Sequence, residues 1–563
     1  MSTRPNRLTE PGDLSRPVLV VLCLVAALAA TGLVFAVAFL LAPGRSDSGG
    51  FSQQQGAMFS WPVLVIGLLA IVAVAALLIV ATRRSGKGSS RIDGQAKYMA
   101  TPKDLADMTR ASQAQNTSRL GIEGCGDGVP IGEMVQGGAE ILSSFEYVRI
   151  AILGPRAGKT SSVAIRELME TKGPALATSN KRDLVDATRG PRSELGVVRV
   201  HDVQNLVGEK PTWWWNPLTF VTSVENAERL AAIFAASNTP RDARADAYFS
   251  PAGRGYLSGL LLAATVGERP ISQVLTWMGD PDDREPVQLL SRAGYELASQ
   301  DLKSTIELTP KQRDGVIGTA APWVAFLRNP AFTAWVERSG PDDSRPQFDP
   351  HAFVRSTADT LYLISKEGEG SARAITAALT MATLDAADKL GAASKGMRLP
   401  RPLTACLDEA ANVVRIPELP DLYSHYGSRG IILSIFLQSW TQGVEAWGEG
   451  GMKKMWSAAN IRMVGAGIAE VPFLREIVDL VGPRDARSGS VSTGRGGRSS
   501  SQSLRRENIL EVADVAGIPP GRALLFSSGN PATLVKLVPW WKREYAPSVT
   551  ASKDYYEQIG QAS

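Results

Sequence analysis

Residues 147–161 read YVRIAILGPRAGKTS: a run rich in β-branched residues, a Gly-Pro turn, then Gly-Lys-Thr-Ser opening a helical stretch over 161–170. A strand that passes through a glycine-containing loop into a helix is the context in which Gly-Lys-Thr acquires chemical meaning. Glycines let successive backbone N–H groups turn inward around an anion, and the helix N-terminus adds the positive end of its dipole. Gly154, Pro155, Arg156, Ala157, Gly158, Lys159, Thr160 and Ser161 are therefore the expected phosphate cradle. Lys159 is placed to neutralise β- and γ-phosphates, and the Thr160 hydroxyl to ligate Mg²⁺. One spacing is unusual. The first glycine of such a loop ordinarily stands five residues before the second, a position held here by Leu153, with Gly154 one residue later. The loop is expected to be one residue shorter or differently shaped.

A nucleotide site of this kind needs a second element for the metal and the water. Residues 403–409, LTACLDE, are an apolar strand ending in two carboxylates. Asp408 is expected to hold Mg²⁺ with Thr160, and Glu409 to polarise the attacking water. A carboxylate pair after an apolar run is by itself a common solvated strand end; together with the loop it defines an ATP and Mg²⁺ site. Gln438 ends a further apolar run, IILSIFL over 431–437. On position alone it is equally well a polar strand terminus.

Around these motifs the chain alternates short β-branched runs with helical stretches, the pattern of a doubly wound α/β sheet. Strands are expected over 147–153, 174–179, 196–203, 360–365, 403–407, 431–437 and 461–466, and a hairpin over 523–526 and 533–538 around Gly529-Asn530-Pro531. Between 224 and 345 the strand signal nearly vanishes and helical patterns take over, which reads as an inserted all-α domain. Residues 488–503, SGSVSTGRGGRSSSQS, hold no apolar residue beyond Val491 and are expected to be a mobile loop. The division that follows is 1–84 anchor, 85–145 linker and lead-in, 146–223 and 346–545 the two parts of the nucleotide-binding domain, 224–345 the insertion, and 546–563 a tail.

The anchor is read from charge-free stretches. Residues 18–42 and 61–81 are dominated by apolar side chains, and each exceeds the roughly 20 residues needed to cross a bilayer core. The first is too long for the apolar part of a signal peptide, about 7–15 residues, and a second span follows at once. Arg4, Arg7 and Arg16 precede the pair, and Arg83, Arg84, Lys87 and Arg91 follow it. Basic flanks stay inside, so both ends and the large body are expected in the cytoplasm, with the protein a multi-pass component of the cell membrane. Cys23, Cys125 and Cys406 have no spacing for a disulfide framework or zinc site, and His201, His351 and His425 are too scattered for a metal centre. With 60 basic against 56 acidic side chains, the charge balance permits a nucleic-acid partner without arguing for one. Trp213, Trp214 and Trp215 are able to stack bases, but a strand leading into Asn216-Pro217 favours core packing, and Trp540-Trp541 likewise.

The combination resembles the type IV secretion coupling proteins, the TraG/TraD-like ATPases of conjugative DNA transfer. The motifs that carry the resemblance are ATSNKRDL over 177–184, WNPL over 215–218, LDEAAN over 407–412, SIFLQSWTQ over 434–442, Asn460 before an apolar strand, and Arg505-Arg506 before Val512-Ala513-Asp514. His201-Asp202-Val203 departs from the aromatic-Asp-Pro common in that family. The resemblance implies a RecA-like P-loop NTPase domain with an inserted all-α substrate-recognition domain and a two-helix transmembrane hairpin. It implies a ring-forming homo-hexamer that recruits a relaxase with single-stranded DNA and passes it to the channel components. It gives Gln438 a catalytic role beside Glu409, reporting the γ-phosphate, and makes Arg505 or Arg506 the candidate arginine supplied to a neighbouring subunit. Two other functions stay open: an FtsK-like double-stranded DNA translocase, and a nucleotide-binding membrane scaffold without turnover. The long helical block and the LDEAAN and FLQ motifs tell against the first. Intact Lys159, Thr160, Asp408 and Glu409 tell against the second.

Overall fold

Strands β1 (Val129–Met134), β2 (Glu140–Ser143), β3 (Arg149–Ile152), β4 (Ala175–Ser179), β5 (Val198–His201), β6 (Thr360–Ile364), β7 (Leu403–Leu407), β8 (Ile431–Leu437), β9 (Ile461–Gly465), β10 (Pro483–Gly494), β11 (Gly497–Asn508), β12 (Arg522–Ser527) and β13 (Thr533–Lys536) make up the strand inventory of the computed structural model, which describes residues 90–238, 246–366, 372–494 and 497–562. All but β10 and β11 join one sheet, in the order β2-β1-β13-β12-β9-β3-β8-β7-β4-β6-β5. From β9 to β5 every pairing is parallel. Each residue of β3, β4, β6, β7 and β8 is buried. Parallel strands covered by helices on both faces have no solvent side, so their apolar residues run continuously instead of alternating. The α/β class with a large parallel sheet is thus as expected.

The sheet is mixed, because β12 and β13 form an antiparallel hairpin on β9, with Leu524 opposite both Val464 and Leu534. β1 then pairs with β13, and β2 with β1. Both strands lie in the stretch expected as linker and lead-in over 85–145, and from Arg91 onward the chain belongs to one compact unit ending at Ser563. The strand signal there was masked by Pro130 and Gly132, which flank a register shift in the β1–β2 pair. Such residues are tolerated at bulges near a sheet edge. The expected membrane spans, 18–42 and 61–81, lie outside the described residues; among the described residues no helix is long and apolar enough to cross a membrane.

Between β5 and β6 the described chain is helical. Helices Val224–Asn238, Phe249–Val266 and Pro310–Val324 lead this block, and Phe249–Val266 buries Tyr256, Leu257, Leu260 and Leu261. The block shares one compact unit with the sheet. All three tryptophans of 213–215 are buried, and Trp213 meets Trp335 edge-on at 5.6 Å between centroids, so their role is packing. Trp541, expected to pack, is instead 55% exposed. The expected C-terminal tail is a helix, Ala546–Ala562, docked on helix Asp183–Ser193. There Gly190 N–H donates to Ser552 Oγ at 3.1 Å, a contact no side chain at 190 would permit.

The expected mobile loop over 488–503 is also different. β10 and β11 form a continuous antiparallel ribbon, from Pro483 opposite Asn508 to Gly494 opposite Gly497. Cross-strand pairing satisfies backbone N–H and C=O groups without apolar side chains, which a burial argument does not count.

His201 lies fully buried between Trp213 and Trp335, and neither ring nitrogen has a hydrogen-bond partner. Burial depresses its pKa from 6.5 to about 3. The unfolded chain therefore binds this proton at a pH where the folded chain does not. Its contribution is full above the ordinary pKa and declines as pH falls toward the folded value. Acidification from pH 7 to 5 is expected to cost about 2 kcal/mol through this residue. Thermal unfolding of the wild type and of His201→Phe at both pH values checks this: the substitution should remove that share of the acid-induced fall in midpoint.

Candidate functional site

β3, β7 and β8 end on the same side of the sheet, and the residues picked from sequence leave from those ends. The carboxyl ends of parallel strands are where open α/β sheets bind ligands. Leu153 N–H donates to Leu437 O at 3.0 Å and Gly154 N–H to Ala466 O at 2.8 Å, so the chain continues as strand one residue past β3 before it turns. The turn itself needs left-handed backbone at Arg156 (φ 59°) and Gly158 (φ 91°). Pro155 and Arg156 are exposed while Gly154, Ala157 and Lys159 are buried. The helix after the loop opens with a wide turn over Thr160–Ala164 and continues as α-helix Ile165–Glu170. Ser161 turns back on the loop, its hydroxyl donating to Gly158 O at 3.4 Å.

Lys159 forms ion pairs with both carboxylates of the β7 terminus, meeting Asp408 Oδ1 at 3.1 Å and Glu409 Oε1 more closely. The Thr160 hydroxyl donates to Asp408 Oδ2 at 2.9 Å. Gln438 Nε2 donates to Glu409 Oε1 at 2.7 Å. The sheet therefore brings together Lys159, Thr160, Asp408, Glu409 and Gln438, although they are far apart in the chain. Burial alone would lower the Lys159 pKa, but the two carboxylates outweigh it and hold the ammonium above its usual value. Asp408 is pushed up, because desolvation in this pocket exceeds the attraction of Lys159. Glu409 occupies the left-handed region, φ 55°, a conformation that costs a non-glycine residue roughly 1 kcal/mol or more. Its second oxygen, Oε2, is buried without a hydrogen-bond partner. A buried acceptor left unpaired at a strained residue fits a group reserved for a water or a ligand.

A second set of residues, missed from sequence, braces the first. The Thr178 hydroxyl donates to Asp408 O at 3.3 Å, and the Gln442 side chain accepts from Gln438 N–H at 2.9 Å. Beneath the loop, Arg149 on β3 pairs with Glu167 at 3.3 Å, while Ser434 on β8 donates to the other Glu167 oxygen at 2.7 Å. Burial raises the Glu167 pKa against the opposing pull of Arg149 and Ser434. Thr178, Ser434 and Gln442 lie within the ATSNKRDL and SIFLQSWTQ motifs without a role of their own being read there; Arg149 was signalled only as a polar residue in an otherwise apolar strand, and Glu167, on the helix Ile165–Glu170, had no signal. Arg505 and Arg506 stand exposed on β11, away from any described contact with this pocket.

The donor set fits a polyphosphate with a divalent cation: one ammonium, one hydroxyl, two carboxylates and a glycine-bearing loop at a helix N-terminus. Fold and site together define an α/β protein of the P-loop class. Residues 402–520 match the family described as the TraM recognition site of TraD and TraG, and with that match the resemblance to type IV secretion coupling proteins is borne out over the segment carrying β7, β8, β9 and the ribbon. No curated protein matches the chain in sequence. Among solved structures, the chain is similar to the unbound bacterial conjugative coupling protein TrwBdeltaN70, at 14% identity and TM-score 0.48 over 75% of this chain and 91% of that one. It is also similar to plasmid coupling protein TrwB in complex with the non-hydrolysable GTP analogue GDPNP, at 13% identity and TM-score 0.46 over 70% and 86%. A third is VirB4 of Thermoanaerobacter pseudethanolicus, at 12% identity and TM-score 0.44 over 75% and 98%.

Proposed function

We propose that this chain is a membrane-anchored ATPase that recruits a relaxase–DNA substrate and drives single-stranded DNA into a type IV secretion channel, working as a homo-hexamer with its body in the cytoplasm. The observation that carries the proposal is the convergence of Lys159, Thr160, Asp408, Glu409 and Gln438 on one buried pocket. The strand order β9-β3-β8-β7-β4 supports a RecA-like motor domain, in which one strand separates the phosphate-loop strand from the carboxylate strand. The match of 402–520 supports a relaxosome partner, and two charge-free stretches with basic flanks support the membrane anchor.

In this mechanism ATP binds along the loop from Gly154 to Ser161, with Lys159 beside its phosphates. Thr160 and Asp408 would hold Mg²⁺, which neutralises charge developing on the transferred phosphoryl oxygens. Lys159 must exchange its carboxylate partners for phosphate, which frees Glu409. Glu409 then orients a water and takes its proton on the otherwise unpaired oxygen. Gln438, hydrogen-bonded to Glu409, senses whether that carboxylate has moved and passes the change along β8.

The test is ATP hydrolysis by residues 85–563 with and without single-stranded DNA, beside Lys159→Ala. Turnover is expected to rise with single-stranded DNA, and the variant to lose at least about 10²-fold in kcat, the scale of removing a main electrostatic stabiliser. Nucleotide binding without turnover in any oligomeric state would replace the motor with a scaffold. Stimulation by duplex alone would replace it with a double-stranded translocase.

A further inference from the structure

We propose that Glu470 is a positioning residue for ATP hydrolysis, whose carboxylate holds the turn after Gln438 in the place from which that glutamine engages Glu409. The inference rests on the proposed ATPase reading and names a residue that no sequence motif picked out. Gln438 Nε2 donates to Glu409 Oε1 at 2.7 Å, so the placement of residues 438–441 governs this bond. Just beyond Gln438 the chain enters helix Trp440–Ala458. The first backbone N–H groups of a helix have no partner within it. Here Trp440 N–H donates to Glu470 Oε2 at 2.8 Å and Thr441 N–H to Glu470 Oε1 at 2.8 Å. The Thr441 hydroxyl donates to the same Oε1. A carboxylate in this place also meets the positive end of the helix dipole.

The helix already has a cap of its own. The Ser439 hydroxyl accepts from Gln442 N–H at 3.1 Å, and Gln442 Oε1 accepts from Gln438 N–H at 2.9 Å. What Glu470 adds is a link to another strand. β8 and β9 flank β3, with Ile152 opposite Leu437 on one side and opposite Val464 on the other. The segment 466–470 leaves the end of β9, takes the Gly154 N–H on Ala466 O at 2.8 Å, and ends on Trp440 and Thr441 through Glu470. One short segment therefore touches the start of the phosphate loop and the turn after Gln438. A shift of that loop reaches Gln438 by this route as well as through Glu409. The packing beneath does not depend on the carboxylate. Trp440 stacks on Phe473 at 5.0 Å between centroids and meets Trp456 edge-on at 5.8 Å. Truncating Glu470 leaves those rings together and frees the turn.

The experiment measures ATP turnover, nucleotide affinity and thermal midpoint on the full chain in detergent. The proteins are wild type, Glu470→Ala, Glu470→Gln, Gln438→Ala and the double variant Glu470→Ala/Gln438→Ala. Glu470→Ala should lower kcat about tenfold, the scale of a slightly misplaced catalytic group, with affinity and midpoint near wild type. Glu470→Gln should recover part of the loss, because its amide oxygen still accepts from one side. The double variant should be no slower than Gln438→Ala, since Glu470 acts through that glutamine. An unchanged kcat in Glu470→Ala would overturn the inference. So would a fall in kcat matched by falls in affinity and midpoint in both Glu470 variants, which makes the residue a structural cap. Losses that multiply in the double variant would place its effect outside the Gln438 turn and overturn it too. In all three cases the wild type still hydrolyses ATP and the proposed function stands. Nucleotide binding by the wild type without turnover would remove the ATPase reading and this inference with it.

Discussion

Glu409→Gln is expected to bind ATP at least as tightly as the wild type and to hydrolyse it about 10²–10⁴-fold more slowly, the range spanned by a lost general base. The expectation follows from the two oxygens of one side chain. Oε1 is committed to Lys159 and to Gln438 Nε2, at 2.7 Å from the latter. Oε2 has no hydrogen-bond partner. An amide keeps the shape and one acceptor but cannot take a proton from water. It also removes a negative charge that competes with phosphate for Lys159, whose ammonium is held above its usual pKa by Asp408 and Glu409. Affinity should therefore hold or improve while turnover collapses. Single-turnover phosphate release, measured beside nucleotide affinity, separates the two effects. A kcat within tenfold of wild type would remove Glu409 from the chemistry and leave it as a brace for Lys159. Gln438→Ala should act in the same direction more weakly, since Glu409 would keep its basic oxygen and lose only one donor.

The parts of this pocket that were legible in the sequence are those whose chemistry is tied to local order. Gly158-Lys159-Thr160 closes the short loop that leaves β3, and Asp408-Glu409 follows a run of five buried residues, so strand, turn and role could be read together. The bracing residues were not legible, because Thr178, Gln442, Glu167 and Ser434 matter through partners 4 to 267 positions away. Nor was the left-handed backbone at Glu409, which tertiary packing imposes on a residue with no preference for it. The central strands were easy because burial on both faces leaves a continuous apolar signature. The lead-in from Arg91 was hard because its strands are short and antiparallel and contain Pro130 and Gly132. The ribbon was misread for the opposite reason: its backbone pairs fully while its side chains are polar, so an argument from apolar burial expects no structure where hydrogen bonding supplies it.

Gly154→Ala is expected to weaken ATP binding by at least about tenfold and to destabilise the fold by roughly 1–3 kcal/mol, the cost of forcing a carbon into a packed site. The unusual glycine spacing in this loop has a structural reason. Gly154 lies against the backbone of Gly467, which follows β9, and a β-carbon at 154 would stand 2.4 Å from Gly467 O and 2.8 Å from Gly467 Cα. Those atoms are main chain, so no rotamer change relieves the clash. Gly467 has φ 82°, and Gly465 just before it faces Leu153, whose Cδ2 would lie 2.6 Å from an added β-carbon. The segment 465–467 thus forms a glycine seat beneath the phosphate loop, tied to it by the Gly154–Ala466 hydrogen bond. A side chain at 154 must push the loop off this seat and move Lys159 with it. The same logic makes Gly467→Ala damaging through both strain and contact, while Pro155→Ala, at an exposed position, should leave affinity nearly unchanged. Nucleotide titration and thermal unfolding of the three variants decide the matter. If Gly154→Ala keeps wild-type affinity and midpoint, the seat is not what positions Lys159, and the loop draws its shape from Arg156 and Gly158 alone. If affinity falls while the midpoint holds, the glycine serves the phosphates directly. Loss of both, shared by Gly467→Ala and absent from Pro155→Ala, would establish that in this chain the first glycine of the loop is retained for the strand beside it, and that the loop binds phosphate only as well as that strand holds it.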